Sequence, residues 1–312
     1  MECITTPSYS IALNGCFHGF IKGKKGLRQG DSLSPHLFVI CLEYFSRMLK
    51  GGTENSEFNF HPKCGPLKIT HLTFADDLML FARGDVISVG ILMECLSNFG
   101  DMSGLKMNVN KSNLYTAGVH GQELEDIVQL TSLLKGSIPF CYLGIPLAAG
   151  KLKINTYDLL INKIKDYIGA WSRATLSFAG RVELVRAVLQ GVVCFWLSIL
   201  LIPSTVASKV TSLCRNFLWD SKKPLVAWRS ICLPKQEGGL GFREIKCWNS
   251  TILAKTLWNI HSKKDTLWMK WVNMIFLGSR DIWDYTARKD DSSLLKRLLE
   301  IRDRFLQLQR PD

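Results

Sequence analysis

Two adjacent carboxylates, Asp76 and Asp77, stand in the tetrapeptide Phe74-Ala75-Asp76-Asp77, between the apolar runs Leu67–Phe74 and Leu78–Ala82. Neighbouring like charges are costly to hold unless water solvates them or a cation binds them. A divalent metal removes that cost, and Mg²⁺ is typically held by one or two carboxylates together with phosphate oxygens. Two such ions, about 4 Å apart, activate an attacking hydroxyl and stabilise a leaving phosphate in two-metal phosphoryl transfer. An ordinary turn with two solvated aspartates satisfies the same residues, so Ala-Asp-Asp alone leaves both readings open.

The elements that must position this pair are legible around it. Ser8–Leu13 reads as a strand, Asn14-Gly15 as a hairpin turn and Phe17–Lys22 as the return strand. Ser34-Pro35 opens a helix whose apolar positions Leu37, Ile40, Cys41, Tyr44, Phe45 and Met48 recur at helical spacing until Gly51-Gly52 ends it. Leu67–Phe74 and Leu78–Ala82 form a second predicted hairpin with Ala75-Asp76-Asp77 at its turn. Val86–Phe99 fits an amphipathic helix, and Leu105–Asn110 and Asn113–Thr116 read as short strands. This alternation predicts an α+β layer, an antiparallel sheet backed by helices.

After about residue 150 the pattern turns helical. Tyr157, Leu160, Ile161, Ile164, Ile168 and Trp171 make one apolar stripe, with Thr156 as the predicted N-cap. Phe178–Leu201, closed by Pro203, and Ser204–Trp219 read as two more helices. Pro234–Phe242, with Gly238, Gly239 and Gly241, reads as a turn or hairpin, and helical segments resume at Cys247–His261, Leu267–Phe276 and Ser292–Leu308.

Composition narrows the partners. The 312 residues carry a formal charge of +12, unevenly placed. Residues 1–150 hold 12 Lys and Arg against 13 Asp and Glu, and the rest of the chain holds 27 against 14. A near-neutral first half and a basic second half suit a polyanion such as nucleic acid, although a solvated basic surface has the same signature. Ten cysteines are scattered singly with no Cys-x-x-Cys pair, mostly in apolar settings, which argues for reduced thiols and an intracellular protein, nuclear or cytoplasmic, rather than a secreted one. The longest apolar run, Val192–Pro203, is too short to span a bilayer, so no membrane partner is expected.

Three further segments change the weight of the aspartate pair. Upstream lies Lys24-Lys25-Gly26-Leu27-Arg28-Gln29-Gly30-Asp31-Ser32-Leu33-Ser34-Pro35. Downstream lie Gly104-Leu105-Lys106-Met107-Asn108-Val109-Asn110-Lys111-Ser112 and then Cys141-Tyr142-Leu143-Gly144-Ile145-Pro146-Leu147. In this order and spacing the set resembles the successive palm motifs of reverse transcriptases, in the form found in non-LTR retrotransposons and their group II intron relatives. The later stretches Leu176–Arg181, Cys214–Trp219 and Leu233–Gly241 resemble the region after the palm in plant LINE-type elements. Each motif is weak alone, and the ordered set is specific.

The resemblance implies an incomplete polymerase palm over residues 1–118, a primer-grip hairpin and helical thumb over 119–220, and a helical post-thumb region over 221–312. It implies that Asp76 binds metal, with Asp77 in support, and that two Mg²⁺ ions serve as cofactors. Arg28, Gln29 and Gly30 would lie near template and nucleotide, and a glycine there lets backbone approach a base closely. Lys111 would sit near the pyrophosphate as a general acid, although a solvated turn lysine explains it equally. Tyr142, Leu143 and Gly144 would grip the primer end. RNA template and DNA primer are the implied partners. Ser32 stands where many relatives carry Pro, with little expected effect.

The same resemblance calls for a third carboxylate on a strand before the first hairpin, and for fingers that hold the triphosphate. Residues 1–7 offer only Glu2. The expectation is therefore a polymerase fragment, inactive alone, whose N-terminal half is its missing partner. A non-catalytic nucleic-acid-binding relic and a maturase-like RNA-binding protein are the alternatives.

Overall fold

Asn14 and Gly15 both take positive φ, 49° and 83°, as a tight hairpin turn requires. They join β1 (Ser8–Leu13) to β2 (Cys16–Lys22), with Leu13 opposite Cys16. Both faces of this hairpin are open: Phe17 and Phe20 are 78% and 87% exposed. The computed structural model describes residues 8–23, 26–172, 175–220, 223–278, 280–289 and 291–308, so Lys24 and Lys25 of the upstream motif, and Glu2, lie outside the described residues.

Pro35 falls in the first turn of α1 (Ser34–Gly52), where its missing N–H costs nothing. Asp85 caps α2 (Val86–Ser103) by accepting a hydrogen bond from the Ser88 N–H, and Gly104 in the left-handed region ends it. Phe45 and Leu49 of α1 pack with Leu92 and Phe99 of α2 and with Phe58, forming the core of this part of the chain. Between these helices, β3 (His71–Phe74) and β4 (Asp77–Leu80) form the second hairpin.

The α+β class is as expected, but the strands are organised differently. The described strands make four separate two-stranded pairs, not one antiparallel sheet. Leu67 belongs to a 3₁₀ turn, Gly65–Leu67, followed by Lys68 in the left-handed region, so β3 starts later than its apolar run suggests. Of Leu105–Asn110 nothing is strand. Asn108 and Asn110 favour local turns, and Val109–Lys111 is a 3₁₀ turn tied by Ser112 Oγ to the Asn108 carbonyl. β5 (Asn113–Leu114) is real but short, and pairs in parallel with β6 (Leu134–Lys135) across α3 (Gln122–Thr131).

That pairing governs where the chain divides. It splits into two compact units, Met1–Gly136 and Ser137–Asp312, instead of at 118 and 220, because β6 returns residues 119–136 to the first unit. The second unit opens with the hairpin β7 (Phe140–Tyr142) and β8 (Ile145–Leu147). The helix α4 (Asp158–Trp171) follows a 3₁₀ turn, Ile154–Tyr157, so Tyr157 occupies the N-cap and the expected Thr156 cap is absent. Ser177 Oγ accepts from Gly180 N–H and starts α5, which runs Phe178–Leu184, passes through a π-helical turn Val185–Leu189, and continues as Gln190–Leu197. It ends earlier than Leu201. Pro203 precedes α6 (Ser204–Leu218) and serves as its N-cap residue.

Residues Ile145, Leu160, Ile164, Val185, Leu189, Trp196, Val206, Leu218 and Phe242 share one core. This core runs across residue 220, so the predicted boundary there does not separate two folding layers. Three helices carry the second core of this unit: α7 (Ile245–His261), α8 (Leu267–Val272, extended by a π turn Asn273–Leu277) and α9 (Ser293–Leu308). Its centre includes Leu253, Leu257, Ile260, Tyr285, Leu295 and Leu298. No described helix is long and apolar enough to cross a membrane.

Candidate active site

The Asp76-Asp77 pair sits at a tip only two residues wide. Phe74 pairs with Asp77, so Ala75 and Asp76 alone make the turn and Asp77 is the first residue of β4. Ala75 has φ 50°, a left-handed conformation that an L side chain adopts at a cost of about 1–2 kcal/mol. Strained residues of this kind cluster at functional sites. Both aspartates are exposed, so water solvates their adjacent charges, and neither forms an ion pair among the described residues.

The base of the hairpin is fixed to α1 through His71. Its Nε2 lies 2.8 Å from Ser46 Oγ and its Nδ1 lies 2.9 Å from Thr70 Oγ1. Burial holds this imidazole below its usual pKa, against the opposing pull of Glu43. Sequence reasoning did not single out His71 or Ser46, because a lone histidine in a short strand carries no spacing signal.

The loop Arg28-Gln29-Gly30 is held by a compact set of bonds. Ser34 Oγ donates to the Arg28 carbonyl at 2.6 Å, Ser34 N donates to the Asp31 carbonyl at 3.2 Å, and Leu33 N donates to Asp31 Oδ1 at 2.9 Å. Asp31 therefore has a local structural partner. Gly30 has φ 88°, and a Cβ built there would meet nothing within 4 Å. Its backbone angle, not crowding within the chain, is what demands glycine. Arg28, Gln29 and Ser32 are exposed.

Lys111 ends the 3₁₀ turn Val109–Lys111, with its side chain exposed and in no ion pair among the described residues. It is not drawn into a salt bridge with Asp76 or Asp77. Tyr142, Leu143 and Gly144 fall in the second unit. Tyr142 pairs with Ile145, and Leu143 and Gly144 both take positive φ, 51° and 75°, giving a tight turn with an unusually bulky residue at its first position. Ile145, 2% exposed, and the buried Pro146 tie this hairpin into the helical core.

Among the described residues, no group of three or more His, Cys, Asp or Glu side chains is placed to hold a metal. The two aspartates thus offer part of a two-metal donor set and not the whole of it, and no step through metal follows from these residues alone.

Residues 1–147 match the family described as reverse transcriptase (RNA-dependent DNA polymerase). That span contains the aspartate tip, the Arg28–Gly30 loop, Lys111 and the Tyr142–Gly144 turn. Individual relatives extend the similarity. The chain is 33% identical over 129 residues to a putative ribonuclease H protein of Arabidopsis thaliana, covering 40% of this chain and 21% of that protein. It is 27% identical over 250 residues to the retrovirus-related Pol polyprotein from type-2 retrotransposable element R2DM of Drosophila melanogaster, covering 76% and 22%. It is 23% identical over 248 residues to a transposon TX1 protein of Xenopus laevis, covering 77% and 18%. The chain spans about a fifth of the length of these three relatives.

Proposed function

We propose that this polypeptide is the later part of the RNA-directed DNA polymerase of a plant LINE-type retroelement, with Asp76 as a metal-binding catalytic carboxylate and Asp77 in support. The observation that carries the reading is the solvent-facing Ala75-Asp76 turn, held in a strained backbone within the reverse transcriptase span. In this reading Arg28, Gln29 and Gly30 face template and nucleotide, Lys111 stands near the pyrophosphate, and Tyr142–Gly144 grips the primer. The helices after residue 150 act as a thumb that contacts phosphates without reading sequence.

The chain of 312 residues does not extend a primer by itself, because the aspartate pair has no third carboxylate beside it among the described residues. Loss of single catalytic groups commonly costs orders of magnitude in rate. Primer extension on an RNA template by the purified chain, with Mg²⁺ supplied, gives no product above background. Extension that Asp76→Ala abolishes would overturn the inactivity and support the role of Asp76. Joined to the preceding polymerase segment of a non-LTR relative, the chain gains extension, and Asp76→Ala removes it. Extension that survives Asp76→Ala in the joined protein sinks the assignment.

The charge asymmetry favours a second reading, a nucleic-acid-binding module that works without catalysis. It expects sequence-tolerant binding that weakens steeply with salt and survives loss of both Asp76 and Asp77.

A further inference from the structure

The end of α7 carries an aromatic cluster for which the polymerase reading has no use. Trp258 is 62% exposed, on a helix whose opposite face, Leu253, Leu257 and Ile260, is buried. The His261 ring lies 5.7 Å from the Trp258 ring and 6.0 Å from the Trp283 ring, centroid to centroid. His261 Nδ1 is 2.9 Å from Asp281 Oδ2, and Asp281 Oδ1 accepts from Trp283 N–H at 3.0 Å. The imidazole, the carboxylate and the second indole thus form a braced backing for Trp258, whose own ring is left open to solvent. An exposed indole packed against a ring that is itself fixed, here His261 tilted 57° to it, is a stacking surface.

The charges around it point to the ligand. Lys255 lies one turn before Trp258 on the same face of α7, and Lys263 and Lys264 follow the C-cap residue Ser262. All three are exposed and form no ion pair among the described residues. The backbone of the two following lysines is pinned: Lys263 N donates to the Ile260 carbonyl and Lys264 N to the Asn259 carbonyl, both at 3.1 Å. Two of the nearby acids are already engaged, Asp265 with Lys270 at 2.6 Å and Asp281 with His261. What remains is an open indole flanked by uncompensated ammonium groups.

We propose that this face, the end of α7 with the loop after it, is a platform for single-stranded nucleic acid: an unpaired base stacks on Trp258 and the flanking phosphates meet Lys255, Lys263 and Lys264. A duplex keeps its bases stacked on one another and offers no face to the indole. The platform does not depend on the catalytic aspartates, so a failure of the polymerase reading leaves it standing, and the reverse also holds.

Fluorescence anisotropy of the full chain with a short fluorescein-labelled oligothymidylate, and separately with a DNA duplex, tests this. Trp258→Ala weakens single-strand binding by about tenfold, within the range for loss of one base–aromatic stack, and leaves duplex binding unchanged. Trp258→Phe keeps most of the affinity, because the stacking face persists. Replacing Lys263 and Lys264 by Gln lowers the slope of log affinity against log salt by about 1.4, from roughly 0.7 per phosphate contact on a single strand. The proposal is overturned if the chain does not bind the oligothymidylate, if Trp258→Ala leaves single-strand affinity intact, if it weakens both probes alike, or if Trp258→Phe loses as much as Trp258→Ala.

Discussion

Ala75 and Gly30 make a pair of opposite experiments on one physical rule. Both hold positive φ, 50° at Ala75 and 88° at Gly30. Ala75→Gly removes left-handed strain of about 1–2 kcal/mol and gives part of it back as unfolded-chain entropy, for a net gain below about 1 kcal/mol. Gly30→Ala places a methyl in open space and still costs about 1 kcal/mol, because the penalty is in the backbone. Urea titrations of the two variants should shift in opposite directions, and a neutral Gly30→Ala would refute the account. His71 supplies a pH prediction. Burial lowers its folded pKa below the ordinary 6.5, so between the two values the unfolded chain binds the proton that the folded chain refuses. Its contribution to stability is present above pH 6.5 and is lost as pH falls through the folded pKa. An imidazole titration by NMR with a midpoint at or above 6.5 would contradict the hydrogen-bonded, half-buried placement against Ser46 and Thr70.

At the scale of elements, the hairpins are local and the layers are not. Asn14-Gly15 announces β1–β2 because only certain residues tolerate positive φ at both turn positions. The Ala75-Asp76 turn carried a weaker announcement, since alanine is not a residue that turn chemistry selects, and its width became visible only through the Phe74–Asp77 register. The β5–β6 pairing was illegible: two residues on each side, parallel, and separated by α3, it leaves no periodic trace. The first hairpin also has a consequence for handling. With Tyr9, Ile11, Leu13, Phe17, Phe20 and Ile21 all exposed on a two-stranded ribbon, its edges and faces invite association. Phe17→Thr with Phe20→Lys should reduce aggregation of the full chain in light scattering without changing its far-ultraviolet circular dichroism. Unchanged aggregation would move the liability elsewhere, for instance to the exposed face of α1 at Val39 and Ile40.

For the molecule as a whole, the charge imbalance belongs mainly to the second unit, which also holds both larger cores. Nucleic-acid binding by the full chain should therefore fall linearly in log affinity against log salt and be indifferent to Asp76→Asn. Binding insensitive to ionic strength would remove the basic helices from the argument. The sequence by itself determined the α+β class, the helical second half, the two principal hairpins, the reverse transcriptase motifs and the basic bias, because apolar periodicity, turn chemistry and charge are local properties. Only tertiary structure decided that the strands stay as separate pairs, that residues 119–136 return to the first unit, and that His261, Asp281 and Trp283 pack beside an open Trp258. Those facts depend on which distant residues meet, and contacts between residues far apart in the chain are set by the packing of whole elements, which no local pattern encodes.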